Sequence, residues 1–270
     1  MNKLLIFGDE SGTMPVKDSD DIFVTSSISV FNSYPSFDNK NFHREWVINF
    51  IKEKHMFPAI SYVLPRKGYS KNLKDKYDKI NIMARMTRLM TGANKQYLTK
   101  DCIPLRNHIW LFCTLQSINN TIINSLIKNK IFEINVFLDQ KSLAYASKNL
   151  FIRMLQRKLK LYKKSLLKFK DQHPEFIKIL IDRFIDASNS IYLFWSNEEN
   201  TKNAKGGLLL AHYLASYYKK DFNKHKTIQN LLKQYGFKNA DNDVTDLLLI
   251  PPNQQALDTW QRNTGLKPPK

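Results

Sequence analysis

Two apolar runs of strand length, each ended by an aspartate, most constrain what this chain can fold into. The run Leu4 to Gly8 is followed by Asp9, and the run Ile131 to Leu138 is followed by Asp139. Continuous apolar runs of about four to eight residues are typical of buried strands. Buried strands need helices packed against them, so these runs predict an α/β protein.

The remaining segments alternate between strand-like and helical patterns. Further strands are predicted over 22–31, 60–64 and 191–195. Helices are predicted over 39–55, 73–92, 107–129, 143–170 and 175–187, and after the Gly206-Gly207 pair as far as Tyr218. This order predicts a mixed α/β sheet with helices on both faces. The domain prediction is a single domain over 1–220 with a basic helical insertion at about 66–130, and an extension over 221–270.

Net charge narrows the class of partner. The chain has 42 Lys and Arg against 24 Asp and Glu, a formal charge of +18. Such an excess indicates a polyanionic partner, nucleic acid first and an anionic membrane surface second. Neither the dinucleotide fingerprint nor the Walker loop is present, and the two cysteines, Cys102 and Cys113, are too few for a disulfide framework or a thiolate zinc site. No apolar run approaches the ~20 residues of a membrane helix, so a soluble, cytoplasmic protein without a membrane partner is expected.

Basic residues are concentrated in the segment 141–170, which has ten Lys or Arg and no acid. One helical face of this segment is apolar, at Phe151, Leu155, Leu159, Tyr162, Leu166 and Phe169. Another face forms a basic stripe, defined as Arg153, Arg157, Lys160, Lys164 and Lys168. We interpret the stripe as a phosphate-binding surface beside Asp139. The alternative is an ordinary solvated face.

Three side chains are candidates for chemistry: Asp9, Asp139 and His212. If the two strands are neighbours, the two carboxylates converge and repel each other unless a cation lies between them. Mg²⁺ takes oxygen ligands of this kind. His212 is then either a metal ligand or a group that handles a water proton. The structural alternatives are a turn cap at Asp9, a helix N-cap at Asp139 and a hydrogen-bonded core histidine at 212.

A family resemblance follows from these residues. The first run leads into Asp9-Glu10-Ser11-Gly12, and residues 207–212 read Gly-Leu-Leu-Leu-Ala-His. Residues 1–220 resemble a family of bacterial and phage proteins with a domain of unknown function (DUF3800-type). Its members open with that tetrapeptide, carry a later strand-ending Asp, and close with a helix patterned Gly-Leu-Gln-x-Ala-Asp. Leu209 stands here where the family has Gln, and His212 where it has Asp.

The resemblance implies an RNase H-like mixed sheet and a metal-dependent nuclease. In RNase H-like nucleases, acids from the first strand, a middle strand and the last helix hold two divalent metals. This implies that Asp9, Asp139 and His212 hold Mg²⁺ or Mn²⁺, with Glu10 a weaker candidate because it points to the opposite face of a continuing strand. The implied substrate is RNA, DNA or a hybrid, cleaved to a 5′-phosphate and a 3′-hydroxyl. The implied setting is a toxin or phage-defence role.

Two other functions compete with a nuclease. Many RNase H-like enzymes carry a Glu on the helix after the third strand, but residues 102–132 contain no acid. This favours a catalytically weak or inactive RNase H-like nucleic-acid-binding protein that acts with a partner. The other rival is a membrane-surface protein that uses the 141–170 helix, which the absence of Trp from its apolar face disfavours.

The C-terminal extension carries two further patterns. The acidic group over 241–246 lacks the glycine and terminal Glu of a calcium loop, so it is predicted to cap a short helix. The apolar run over 247–250 predicts either an added edge strand or a contact for a partner protein.

Overall fold

The computed structural model describes residues 2–18, 20–37, 43–90, 105–139, 145–168, 171–172, 174–188, 190–222, 224, 227–237 and 240–249. The described strands are β1 (Lys3–Gly12), β2 (Phe23–Phe31), β3 (Phe57–Val63), β4 (Glu133–Leu138), β5 (Ile191–Trp195) and β6 (Asp241–Asp243). They form one sheet in the order β5-β4-β1-β2-β3-β6. Strand β1 is antiparallel to β2 and parallel to β4, and β4 is parallel to β5. The predicted mixed α/β sheet is therefore confirmed.

Eight α-helices lie within the described residues: α1 (Arg44–Glu53), α2 (Tyr69–Met90), α3 (Leu105–Lys128), α4 (Tyr145–Leu167), α5 (Pro174–Ser188), α6 (Lys205–Asp221), α7 (Thr227–Gln234) and α8 (Thr245–Leu249). A 3₁₀ helix, Glu199–Ala204, leads into α6. Residues 39–42, 91–92, 143–144 and 169–170 of the predicted helices lie outside the described residues. None of the described helices is both long enough and apolar enough to cross a membrane.

The chain divides into two compact units. The first comprises residues 1–12, 23–62 and 113–242, and it contains the whole sheet except Val63 and Asp243. The second comprises residues 13–22, 63–112 and 243–270. These units do not test the predicted domain bounds. The 1–220 domain with its insertion, and the extension over 221–270, stay a prediction.

Within the second unit, α8 is fastened to the segment that leads into α2. The Tyr69 hydroxyl donates to the Thr245 carbonyl at 2.8 Å, and the Leu64 N–H donates to Thr245 Oγ1 at 2.8 Å. Asp243 Oδ1 accepts the Thr245 N–H at 2.8 Å, so the predicted capping role of the acidic group is confirmed there. The run Leu247–Leu249 is helical, so an edge strand at these residues is wrong. Strand β6 takes the edge position instead.

Strand β1 is longer than its apolar run predicts. A turn was expected after Gly8, but pairing with β2 continues through Asp9↔Ser26 and Glu10↔Thr25 to Gly12↔Phe23. The antiparallel ladder supplies hydrogen bonds for the polar end of the strand, which removes the need for a turn. Pairing with β4 ends at Gly8↔Leu138. Asp9 is therefore the first β1 residue beyond the parallel pair.

The two faces of β1 and β2 are covered by different helices. On the α3 face, Ser27 Oγ hydrogen-bonds to Thr121 Oγ1 at 2.5 Å and Ser29 Oγ to Ser125 Oγ at 2.9 Å. On the opposite face, the α6 face, Ser26 Oγ donates to the Ala211 carbonyl at 2.6 Å. Side chains alternate along a strand, so Asp9, opposite Ser26, lies on the α6 face.

The glycine pair lies inside α6, whereas the sequence predicted a helix that follows it. A Cβ on Gly207 would lie 2.3 Å from Cγ of Phe7 in β1, and one on Gly206 would lie 2.3 Å from the Pro35 carbonyl oxygen. Only glycine permits so close an approach. The first turn of α6 is therefore pressed directly onto β1, and this contact sets the height of the helix above the sheet.

Candidate active site

An aromatic row followed by a polar row crosses the three parallel strands on the α6 face. Phe7 and Phe137 are partners in register, as are Phe137 and Phe194, and each pair stacks with ring centroids 5.3 Å apart. Two residues further along each strand, on the same face, come Asp9, Asp139 and Ser196. The Ser196 N–H donates to the Leu138 carbonyl at 3.0 Å, which extends the ladder to this level. The two candidate aspartates are thus neighbours.

Asp9 is held at both carboxylate oxygens. Oδ1 accepts the Glu10 N–H at 2.8 Å, and Oδ2 lies 2.9 Å from Nδ1 of His212. The Asp9 side chain is 13% exposed, so it is largely shielded while still reachable. A carboxylate fixed in this way is oriented before any ligand arrives.

His212 reaches Asp9 from α6. Its helix neighbours Leu210, Ala211 and Leu214 are buried, but the His212 side chain is 53% exposed, so the alternative of a core histidine is wrong. The hydrogen bond to Asp9 raises the pKa of His212, and partial burial opposes this effect. The negative charges of Asp9, Asp139 and Glu10 raise it further. These carboxylates therefore favour the protonated form of His212.

Asp139 and Glu10 occupy different positions around this pair. The Ser196 hydroxyl donates to Asp139 Oδ1 at 2.7 Å. Asp139 precedes Tyr145, the first described residue of α4, by six positions. Because β1 continues past Asp9, Glu10 lies on the α3 face. Its charge nevertheless contributes to the raised pKa of His212.

The side chains present match the donor preferences of a hard divalent cation, but they are not preformed as a cluster. Two neighbouring carboxylates supply oxygen ligands, and an imidazole can add a nitrogen. Asp9 Oδ2, however, is engaged by His212. Across the described ranges, no group of three or more His, Cys, Asp or Glu side chains could hold a metal ion.

The basic stripe has the predicted exposure. Arg153, Arg157, Lys160, Lys164 and Lys168 are all exposed, while Phe151, Leu155 and Leu159 are buried. Phe169, predicted on the apolar face, lies outside the described residues. Between the two faces, Lys158 Nζ donates to Gln116 of α3 at 2.5 Å. Through Lys158, α4 therefore contacts α3, whereas His212 lies on α6.

Sequence reasoning missed two serines that shape the site. Ser196 orients Asp139, and Ser26 anchors α6 beside His212. Ser196 directly follows the strand-like run that ends at Trp195, just as Asp139 follows β4. That shared strand-end position was a usable signal. Ser26 gave no sequence signal, because its hydrogen-bond partner Ala211 is 185 residues away along the chain.

The geometry therefore joins Asp9 to His212, sets Asp139 beside them, and leaves Glu10 on the other face. Comparison with protein-family models, curated proteins and solved structures finds no match to this chain.

Proposed function

We propose that the protein is a metal-dependent phosphodiester hydrolase, a nuclease acting on RNA or DNA, with an RNase H-like fold. One observation carries the proposal: Asp9 from the first strand meets His212 from the helix after β5, and Asp139 ends the neighbouring parallel strand. These are the three elements that supply the metal ligands in the family that the sequence resembles. The exposed basic stripe and the +18 charge support a polyanionic substrate.

Each residue has a distinct task in the proposed reaction. Asp9 and Asp139 would hold Mg²⁺ or Mn²⁺, which when bound lowers the pKa of a water and offsets charge on the phosphate. The Glu10 N–H keeps the Asp9 carboxylate oriented, and the Ser196 hydroxyl does the same for Asp139. His212, half-exposed at the rim, is placed to hold or accept a water proton.

A second candidate is an inactive nucleic-acid-binding protein on the same fold, acting with a partner. Two observations favour it. The described residues contain no preformed three-ligand group. In addition, α3 faces the sheet with hydroxyl and aliphatic side chains, and its sequence contains no acid. In this alternative the Asp9–His212 pair is structural and binds no metal.

Cleavage assays separate the two functions. Labelled single-stranded RNA, single-stranded DNA, duplex DNA and RNA–DNA hybrid are incubated with Mg²⁺, Mn²⁺ or EDTA. The variants are Asp9→Asn and Asp139→Asn, with Asp182→Asn as a control because Asp182 is an exposed aspartate of α5.

A nuclease cuts at least one substrate with metal and not with EDTA. The two site variants lose about a hundredfold or more of the rate, as is common when an interaction made in the transition state is removed, and the control keeps it. Salt-sensitive binding without cutting, unchanged in all three variants, would establish the binding protein.

A further inference from the structure

Five aromatic rings form a continuous surface beside the candidate site. This aromatic ladder is defined as Phe37, Trp46, Phe50, Tyr213 and Tyr217. Trp46 stacks on Phe50 with centroids 5.2 Å apart and planes 22° apart, and Tyr213 stacks on Tyr217 at 5.9 Å and 19°. Phe37 bridges the two stacks, 5.3 Å from Trp46 and 6.2 Å from Tyr213. The rings therefore connect α1 to α6.

The ladder passes beside the candidate site at Tyr213. The Tyr213 ring is 6.1 Å from the imidazole of His212, the residue that contacts Asp9. From Tyr213 the ladder leads through Phe37 to Trp46 in one direction and to Tyr217 in the other. A ligand lying along the ladder would pass beside the candidate site.

The ladder is not a closed core. The Trp46 side chain is 42% exposed, and Phe37, Phe50, Tyr213 and Tyr217 are each half-buried. An exposed tryptophan among partly exposed rings is the kind of apolar surface that marks a contact for another molecule.

Cations lie at the Tyr217 end of the ladder. The Arg44 guanidinium is 5.5 Å and the Lys220 ammonium 6.0 Å from the Tyr217 ring centroid. Arg44 is also fixed by an ion pair with the buried Asp221 at 2.6 Å, whereas Lys220 is exposed. Partly exposed rings flanked by cations match bases joined by phosphates, because each base offers a flat face and each phosphate a negative charge.

We propose that the aromatic ladder is a base-stacking platform, and that the substrate of the candidate site is a single-stranded nucleic acid. This inference rests on the proposed function, because it takes the Asp9–His212 pair beside the ladder as the place of reaction. In a duplex the faces of the bases are already stacked on one another, so they are not offered to aromatic side chains. The ladder therefore selects for unpaired strands and tolerates any base sequence.

The test is equilibrium binding in EDTA, so that no substrate is consumed. Fluorescence anisotropy compares a labelled 12-nucleotide single strand of mixed sequence, as RNA and as DNA, with the matching duplexes. The variants are Trp46→Ala, Tyr213→Ala and Trp46→Phe. Tyr192→Ala is the matched control, since Tyr192 is 51% exposed on β5 and lies outside the ladder. Thermal unfolding of each variant confirms that it is folded.

The wild type is expected to bind the single strand at least tenfold more tightly than the duplex. Trp46→Ala and Tyr213→Ala weaken single-strand binding by about tenfold each, the usual loss when a stacking ring is removed. Trp46→Phe retains most of the affinity, and duplex binding and the Tyr192→Ala control do not change. Equal affinity for single and double strands would overturn the inference. Unchanged single-strand binding in the two Ala variants would also overturn it.

The stacking platform and the nuclease function can be disproved independently of each other. A protein that cuts nucleic acid with metal but binds single strands independently of Trp46 keeps its nuclease function and loses the platform. A protein that never cuts but binds single strands through Trp46 and Tyr213 keeps the platform and loses the nuclease.

Discussion

The two faces of β1 and β2 use polar side chains in opposite ways. On the α3 face, the Ser27–Thr121 and Ser29–Ser125 hydroxyl pairs are neutral and completely buried. On the α6 face, Asp9 pairs with His212, and the imidazole is more than half exposed. Buried neutral pairs satisfy the interior and fix how the helix packs. An ion pair at the surface adds little stability, which agrees with the catalytic role that we propose for Asp9 and His212.

The same contrast continues into β4 and β5. Towards the helix layer of the α3 side, the strands present the aliphatic residues Ile134, Val136 and Leu193, all buried. Towards the other side they present the phenylalanine row and then Asp139 and Ser196. One face therefore stabilises the fold and the other carries the candidate site, and four changes test this division.

Ile134→Ala is expected to have the largest effect on stability. Ile134 is completely buried, so losing its side chain leaves a cavity and lowers the free energy of unfolding by about 2–5 kcal/mol. Urea denaturation measures this loss, and ¹H–¹⁵N NMR of the imidazole measures the pKa of His212. That pKa is expected to stay unchanged, and a shift comparable to that in an Asp9 variant would contradict the division.

Gly207→Ala is expected to affect both faces. Its methyl group would meet the Phe7 ring, and overpacking of this kind costs about 1–3 kcal/mol. Relief of the clash requires α6 to move off β1, which lengthens the Asp9–His212 contact. The pKa of His212 should then fall towards its ordinary value. Full stability combined with an unchanged pKa would show that the close approach of Gly207 does not position His212.

Ser29→Ala should lower the free energy of unfolding less than Ile134→Ala or Gly207→Ala. It removes a hydroxyl pair, but Ser125 Oγ can still donate to the Thr121 carbonyl at 2.8 Å, so the expected loss in unfolding free energy is about 1 kcal/mol. The double variant Ser29→Ala/Ser125→Ala should cost less than the sum of the two single variants. Strict additivity in this double-mutant cycle would mean that the two hydroxyls are not coupled.

Asp9→Asn is expected to have the smallest effect on stability and a clear effect on titration. In the metal-free protein, losing the Asp9 charge lowers the pKa of His212. A pKa raised in the folded state contributes stability that is fully present below the unfolded value of about 6.5 and is lost as pH rises through the folded value. As pH rises from about 6.5 through the folded-state pKa of His212, the free energy of unfolding of the wild type should therefore fall more than that of Asp9→Asn. If the free energies of unfolding of the two proteins changed in parallel with pH, the ion pair between Asp9 and His212 would be contradicted.

Local patterns predicted the parts of the fold whose cause is local. Strand β4 with Asp139, and helix α4 with its basic stripe, followed from an apolar run and a helical repeat. The extension of β1 past Asp9 was missed because it depends on pairing with β2. For the run Leu247–Leu249, the edge-strand alternative is wrong because so short an apolar segment fits a strand or a helix equally well. The partner contact stays a prediction.

The sequence predicted that Asp9 and Asp139 converge and, through the resemblance, that His212 joins them. It did not predict the direct contact between Asp9 and His212. That contact depends on the glycine-enabled approach of α6 to Phe7 and on the hydrogen bond from Ser26 to Ala211. Both contacts join residues that are distant along the chain, so a helical or strand period cannot reveal them.

The central claim is that the Asp9–Asp139–His212 group takes up a divalent cation, and Mn²⁺ binding followed by NMR tests it most directly. The six histidines are observed through their ring protons while the paramagnetic ion is added to the wild type and to Asp139→Asn. We expect the His212 signals of the wild type to broaden first, at Mn²⁺ concentrations that leave the other five unaffected. Asp139→Asn should require far more metal. Uniform broadening of all six, identical in both proteins, would contradict the claim.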